Sequence, residues 1–149
     1  MLTSKFSCCL VAHLAILLGL LLLGTCKGQN WSSFQTKHID FPKSSASNPN
    51  AYCDLMMKRR NLNPTRCKPR NTFVHASQSE IQNVCSSKGT HYKDNLYDSE
   101  EDFPLTDCKN VGGTSPDNCK YIGTPGTKRI RVACENNKPV HFELVLATL

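Results

Sequence analysis

Two kinds of side chain in this 149-residue sequence could do chemistry: five histidines and nine cysteines. An imidazole titrates near neutral pH, so two of them can serve as base and acid in one proton-transfer reaction. His38 and His141 are the candidates, although a lone histidine is more often a surface or structural residue than a catalytic one. The cysteines could hold a metal or form bridges. Cys8, Cys9 and Cys26 lie in the first 28 residues, leaving Cys53, Cys67, Cys85, Cys108, Cys119 and Cys134. No two of these six are closer than 11 positions, whereas a zinc site normally pairs two ligands within about two to four residues. An even number in an oxidising compartment therefore predicts three disulfides and no metal, with fifteen pairings open on arithmetic alone.

The first 28 residues read as a secretory signal. Met1–Lys5 carries one positive charge, Leu10–Leu23 is almost wholly apolar, and small Cys26 and Gly28 precede a cut before Gln29. That run of 14 residues is short of the roughly 20 a membrane-spanning helix needs. No later segment is apolar enough to span, so no stable membrane insertion is expected. Residues 29–149 then form a single secreted domain of 121 residues, enough for a modest core. It keeps sixteen Lys and Arg against twelve Asp and Glu, a net charge of +4. Such an excess suits a polyanionic partner without requiring one. Lys58, Arg59, Arg60, Arg66, Lys68 and Arg70 fall within 13 residues without an acid, opposed by Asp98, Glu100, Glu101 and Asp102. Either cluster could equally be a solvated face.

The elements that must position these groups follow from periodicity. Trp31, Phe34 and His38 share one face of a helix over Gln29–His38. Pro42–Asn50 reads as a loop. Ala51–Arg60 is a second helix, with Tyr52, Leu55 and Met56 inward and a basic C-terminal end. Ser77-Gln-Ser-Glu80 is a capping box, followed by Ile81, Val84 and Cys85 on a third short helix. Lys68–His75, Phe103–Lys109, Cys119–Ile122, Arg129–Cys134 and Val140–Ala147 read as strands, and polar Lys88–Glu101 as a loop. Helices early and strands late predict an α+β fold with an antiparallel sheet and no second domain. Bridges between helices and strands would staple the two together, typically at ~2–4 kcal/mol each.

Cys67-Lys68-Pro69-Arg70-Asn71-Thr72-Phe73 carries the CKxxNTF signature, and by it the chain is identified as a member of the pancreatic ribonuclease superfamily. Phe34-Gln-Thr-Lys-His38 resembles the family's N-terminal catalytic helix, and Tyr52-Cys53-Asp-Leu-Met56-Met57 its second helix. Thr106-Asp107-Cys108, Val132-Ala133-Cys134-Glu135 and Pro139-Val140-His141-Phe142 resemble its strands, so the likeness covers Phe34–Glu143. The resemblance implies a ribonuclease A-like fold, three short helices on a bent antiparallel sheet. It also implies the pairing Cys53–Cys108, Cys67–Cys119 and Cys85–Cys134. Longer family members have a fourth bridge after the third cysteine. Here Ser86–Tyr97 has no cysteine, and in this, in His91–Leu96 and in the short Glu135–Pro139 turn, the sequence resembles the angiogenin branch.

The chemistry so implied needs neither metal nor cofactor. RNA carries its own nucleophile, the 2′-OH. By resemblance His38 takes that proton, His141 protonates the departing 5′-oxygen, and the roles reverse when the 2′,3′-cyclic phosphate is hydrolysed. Lys68 would stabilise the developing charge, for which a fixed cation can be worth several kcal/mol. DNA lacks the 2′-OH and would be at best a ligand. Thr72 would read a pyrimidine through its hydroxyl and backbone N–H, with Asp107 orienting that hydroxyl and Phe142 packing on the base. Lys37 and Asn71 join the substrate-binding set, and Glu135 resembles a contact to the following base. His75 resembles the family's structural histidine, and His91 is expected to be solvated. Glu143 stands where the family usually has an Asp that orients the acid histidine, one methylene shorter. Lys37 replaces a Gln of the digestive enzymes. Leu144 occupies the place from which angiogenins obstruct the pyrimidine pocket, implying an open pocket here.

Three functions compete on this reading. The first is a secreted, monomeric, metal-free endoribonuclease cutting single-stranded RNA on the 3′ side of pyrimidines. The second is an angiogenin-like signalling protein with weak ribonuclease activity, a cell-surface receptor, a ribonuclease inhibitor as partner, and nuclear uptake through Lys58, Arg59 and Arg60. The third is a basic host-defence protein, against which a charge of only +4 and an acidic cluster argue. Asn30-Trp-Ser32 is a glycosylation sequon, while Asn63-Pro-Thr is barred by its proline.

Overall fold

The computed structural model describes residues 29–147, so the expected signal segment 1–28 lies outside the described residues. Helix α1 (Trp31–His38) opens on Asn30, whose side chain accepts the Ser33 N–H, and buries Phe34 and His38. Helix α2 (Pro49–Arg59) is capped in the same way by Asn48 and starts on Pro49, two residues inside the expected loop. Proline suits a first helical turn because its missing N–H would have no partner there. The buried face of α2 is Tyr52, Cys53, Met56 and Met57. Leu55, expected inward, is exposed, because the helix is rotated to aim Cys53 at Cys108. The Ser77–Glu80 capping box forms both its bonds and starts α3 (Gln78–Gln82), which tightens into a 3-10 turn at Asn83–Cys85.

Among the described residues seven strands make two antiparallel sheets. Strands β1 (Arg70–Val74), β4 (Phe103–Gly112) and β5 (Lys120–Lys128) form one, in the order β1-β4-β5. Strands β2 (Gly89–Lys93), β3 (Leu96–Ser99), β6 (Ile130–Glu135) and β7 (Lys138–Val145) form the other, in that order. The β2–β3 hairpin replaces the loop expected at Lys88–Glu101. Strand β2 lies at the sheet edge almost wholly exposed, so it carries no apolar alternation to betray it. Strands β6 and β7 are joined at Asn136 and Asn137, both left-handed at φ 51° and 60°, a conformation asparagine tolerates in tight hairpins.

Two apolar clusters form the core. Phe34, Val74, Ile81, Val84, Phe103, Ile130 and Val132 join α1 and α3 to the sheets. Tyr52, Met56, Met57, Phe73 and Tyr121 lie under α2. Among the described residues the bridges are Cys53–Cys108, Cys67–Cys119 and Cys85–Cys134, the pairing the resemblance implied. Helix α2 rests on β5 so closely that a Cβ on Gly123 would fall 2.2 Å from the Pro49 carbonyl oxygen. Helix α1 packs against both β1 and β7. Its exit is tied to the first sheet by the Asp40 N–H, which donates to the Val74 carbonyl at 3.0 Å.

Candidate active site

Because α1 touches β1 on one side and β7 on the other, its last residue sits where the two strands face each other. A groove of about 480 Å³ opens there, lined by residues of all three elements and by Lys68. His38, Lys68 and His141, far apart in sequence, all line it, as do Lys37, Arg70, Asn71, Thr72, Phe142, Glu143 and Leu144.

His38 Nδ1 lies 2.9 Å from the Thr72 carbonyl oxygen. A carbonyl can only accept, so Nδ1 carries the proton and Nε2 keeps a lone pair. Burial, with Lys68, Lys37 and His141 nearby, holds this imidazole well below its ordinary range despite the Thr72 bond. The ring is thus a neutral base near pH 7. Phe34 and Phe142 flank it, the latter stacked at 5.1 Å between centroids.

Lys68 Nζ donates to Asn71 Oδ1 at 2.9 Å, and Asn71 Nδ2 donates to the Lys37 carbonyl at 2.8 Å. Buried Asn71 therefore links the cation to the end of α1. Burial, reinforced by Lys37, brings Lys68 down to about 8. His141 Nδ1 accepts from the Gln29 amide at 2.8 Å, and its Nε2 lies 3.2 Å from Glu143 Oε2. Both ring nitrogens are engaged, so giving a proton to a leaving group requires His141 to release one partner.

On the β1 side, the Thr72 hydroxyl donates to Asp107 Oδ1 at 3.0 Å, the two residues being cross-strand partners. Of the expected substrate contacts, Lys37, Asn71, Thr72 and Phe142 line the groove; Asp107 reaches it only through Thr72, and Glu135, at the end of β6, is not among the lining residues. His75 donates from Nδ1 to the Asp40 carbonyl at 2.9 Å and accepts at Nε2 from Thr106 at 2.8 Å, which leaves neither nitrogen for catalysis. His91 is exposed and donates to the Asp94 carbonyl. Among the described residues no cluster of His, Cys, Asp or Glu could hold a metal ion.

The basic segment divides. Lys58 and Arg59 are exposed, but Arg60 turns back onto α1. Its Nη1 donates to the Thr36 carbonyl at 2.7 Å, and its Nη2 lies 3.6 Å from Asp40. Arg60 belongs to the fold, which the run of cations in the sequence conceals. Sequence reasoning also missed Gln29 at His141 and Arg70 at Asp107. The second was within reach, because Arg70 and Thr72 lie two apart on one strand and so share a face.

A family model for pancreatic ribonuclease matches residues 29–143. The chain belongs to the pancreatic ribonuclease family. A pancreatic ribonuclease of Iguana iguana is 81% identical over 119 residues, covering 80% of this chain and 100% of that protein. A ribonuclease of Chelydra serpentina is 44% identical over 113 residues, covering 76% and 95%. Green turtle egg white ribonuclease superposes with a TM-score of 0.75 at 39% identity, covering 78% of this chain and 98% of that one. This member of the family is an endoribonuclease, and RNA is its substrate. These relatives favour the enzyme over the signalling and host-defence alternatives.

Proposed function

We propose that this ribonuclease cuts single-stranded RNA on the 3′ side of pyrimidines by transphosphorylation through a 2′,3′-cyclic phosphate, without a metal. The observation that carries the reading is the His38–Thr72 bond, which leaves Nε2 as a free lone pair in a groove that also holds Lys68 and His141. His38 Nε2 takes the 2′-OH proton, and His141 releases its proton to the 5′-oxygen. Lys68 faces the charge that grows on the phosphoryl oxygens. Glu143 steadies the imidazolium of His141, and Lys37 adds positive charge beside the substrate phosphates. Thr72 and Phe142 hold the base on the 5′ side of the cut, and Glu135 reaches the base beyond it. The chain leaves the cell by its N-terminal signal and works as a monomer in an oxidising space, to which three disulfides are suited. Receptor binding, nuclear uptake and capture by an inhibitor draw little support from a basic segment in which Arg60 is already committed to the fold.

The test is RNA cleavage by His38→Ala and His141→Ala with sequencing of the cut ends. Each variant should lose nearly all turnover while remaining folded, and the wild-type cuts should follow pyrimidines. The pH profile should be a bell: its acid limb lies below 6.5, because His38 is depressed, and its alkaline limb falls where His141 gives up the proton it must donate, no higher than about 8, where Lys68 loses its charge. A folded double variant with wild-type turnover, or cutting mainly after purines, would overturn the mechanism.

A further inference from the structure

Among the described residues that line the groove, Arg70 is the one cation with no part in the chemistry above. Its Nε donates to Asp107 Oδ1 and Oδ2 at 3.0 and 2.9 Å, and its Nη2 also donates to Oδ2. The same Oδ1 accepts the Thr72 hydroxyl at 3.0 Å. Arg70 and Thr72 share one face of β1, and Asp107 stands opposite Thr72 on β4. The three side chains form a single chain of donors and acceptors, ending at the hydroxyl that meets the base.

We propose that Arg70 determines specificity among pyrimidines, by fixing the Asp107 carboxylate so that Thr72 presents a lone pair to the base and thereby favours uracil over cytosine. The inference rests on the proposed base-reading role of Thr72. A hydroxyl has one proton and two lone pairs. With the proton given to Asp107, only acceptance is left. Uracil offers N3–H and fits at once. Cytosine offers a bare N3, so Thr72 must withdraw its proton from a charged acceptor and turn it to the base. Without the guanidinium fork, the carboxylate is free to rotate or to hydrate, and the hydroxyl is free to serve either base. An arginine holds both carboxylate oxygens in a fixed plane, which a lysine cannot do.

The experiment compares kcat/KM on uridylyl-adenosine, cytidylyl-adenosine and adenylyl-adenosine for wild type, Arg70→Gln, Arg70→Lys and Asp107→Asn. The uracil-to-cytosine ratio is taken on one enzyme sample, so it is unaffected by any unfolded fraction. It should fall about fivefold in Arg70→Gln, part of the value of one charge-assisted hydrogen bond. Arg70→Lys should give an intermediate ratio. Adding Arg70→Gln to Asp107→Asn should change the ratio no further, since Arg70 acts through Asp107. Equal losses on both pyrimidine substrates would overturn the proposal and make Arg70 a simple phosphate-attracting cation. Ready cleavage of adenylyl-adenosine by wild type would instead reject the Thr72 reading beneath it, a distinct result.

Discussion

Asn71 offers the sharpest test of how the groove is held together. It touches no reacting atom in the mechanism above, yet it bonds both Lys68 Nζ and the carbonyl of Lys37, the residue before His38. In Asn71→Ala both bonds go. The first is charge-assisted, worth about 1.5–3 kcal/mol, and the second is neutral, worth about 1 kcal/mol. If the Lys68 bond is felt mainly when charge develops on the phosphate, kcat should fall roughly tenfold to a hundredfold with little change in KM. Stability should fall by about 1 kcal/mol, because a partly buried carbonyl loses its donor. Steady-state kinetics on a dinucleotide, well below the melting temperature, would separate the two effects. Asn71→Asp sharpens the test. It keeps an oxygen beside Lys68 and adds a negative charge, so Lys68 should hold its proton longer, and the part of the alkaline limb that Lys68 sets should move above 8. A folded Asn71→Ala enzyme with kcat within twofold of wild type would refute the positioning role. An alkaline limb unmoved in Asn71→Asp would show that the His141 acid, and not Lys68, sets it.

Two further outcomes follow from groups that are not what their sequence neighbours suggest. Lys58→Gln with Arg59→Gln should leave dinucleotide turnover unchanged and flatten the salt dependence on long RNA. Arg60→Gln should lower both stability and dinucleotide turnover, because it removes the donor at the end of α1; salt titrations and thermal melts of the two proteins check this. His38 also makes folding pH-dependent: its native pKa lies below the ordinary 6.5, so below that pH the unfolded chain takes up a proton the native one refuses. Stability should therefore drop as pH falls below 6.5, by up to about 1.4 kcal/mol per unit. His75, also depressed, adds to the slope, so His38→Gln should flatten it in part when unfolding is followed from pH 6.5 to 4.5.

What the sequence disclosed, and what it hid, depended on whether the signal was local. The Ser77–Glu80 box acts within four residues of itself, and its helix began where it stands, whereas the Asn48 cap went unread and α2 starts two residues before its expected start. The candidate trio His38, Lys68 and His141 could be singled out only through the CKxxNTF motif and its companions, since nothing local distinguishes His38 from His75. The β2–β3 hairpin was invisible because its strands are polar and partly exposed, and only pairing with β6 makes them a sheet. Likewise Arg60 looked like its neighbours Lys58 and Arg59. Its different fate is decided by where α2 lies relative to α1, a tertiary fact with no trace in a run of three cations.

That tertiary fact explains why a second concavity, of about 670 Å³ behind α1, is a support rather than a site. Its two charged groups, Asp40 and Arg60, already face each other. Asp40 is buried, and burial alone would raise its pKa. The Tyr52 hydroxyl at 2.6 Å and two bonds from Ser44 outweigh that and keep it below the ordinary carboxylate range. It therefore stays charged at neutral pH and holds Arg60, which holds the Gln35 and Thr36 carbonyls at the end of α1. On the groove side, Asn71 holds the Lys37 carbonyl and Thr72 holds the His38 ring. The last turn of α1 is thus fixed from α2 on one side and β1 on the other. The direction of the His38 lone pair is a property of three elements together, and a variant such as Arg60→Gln can reach it without touching the groove.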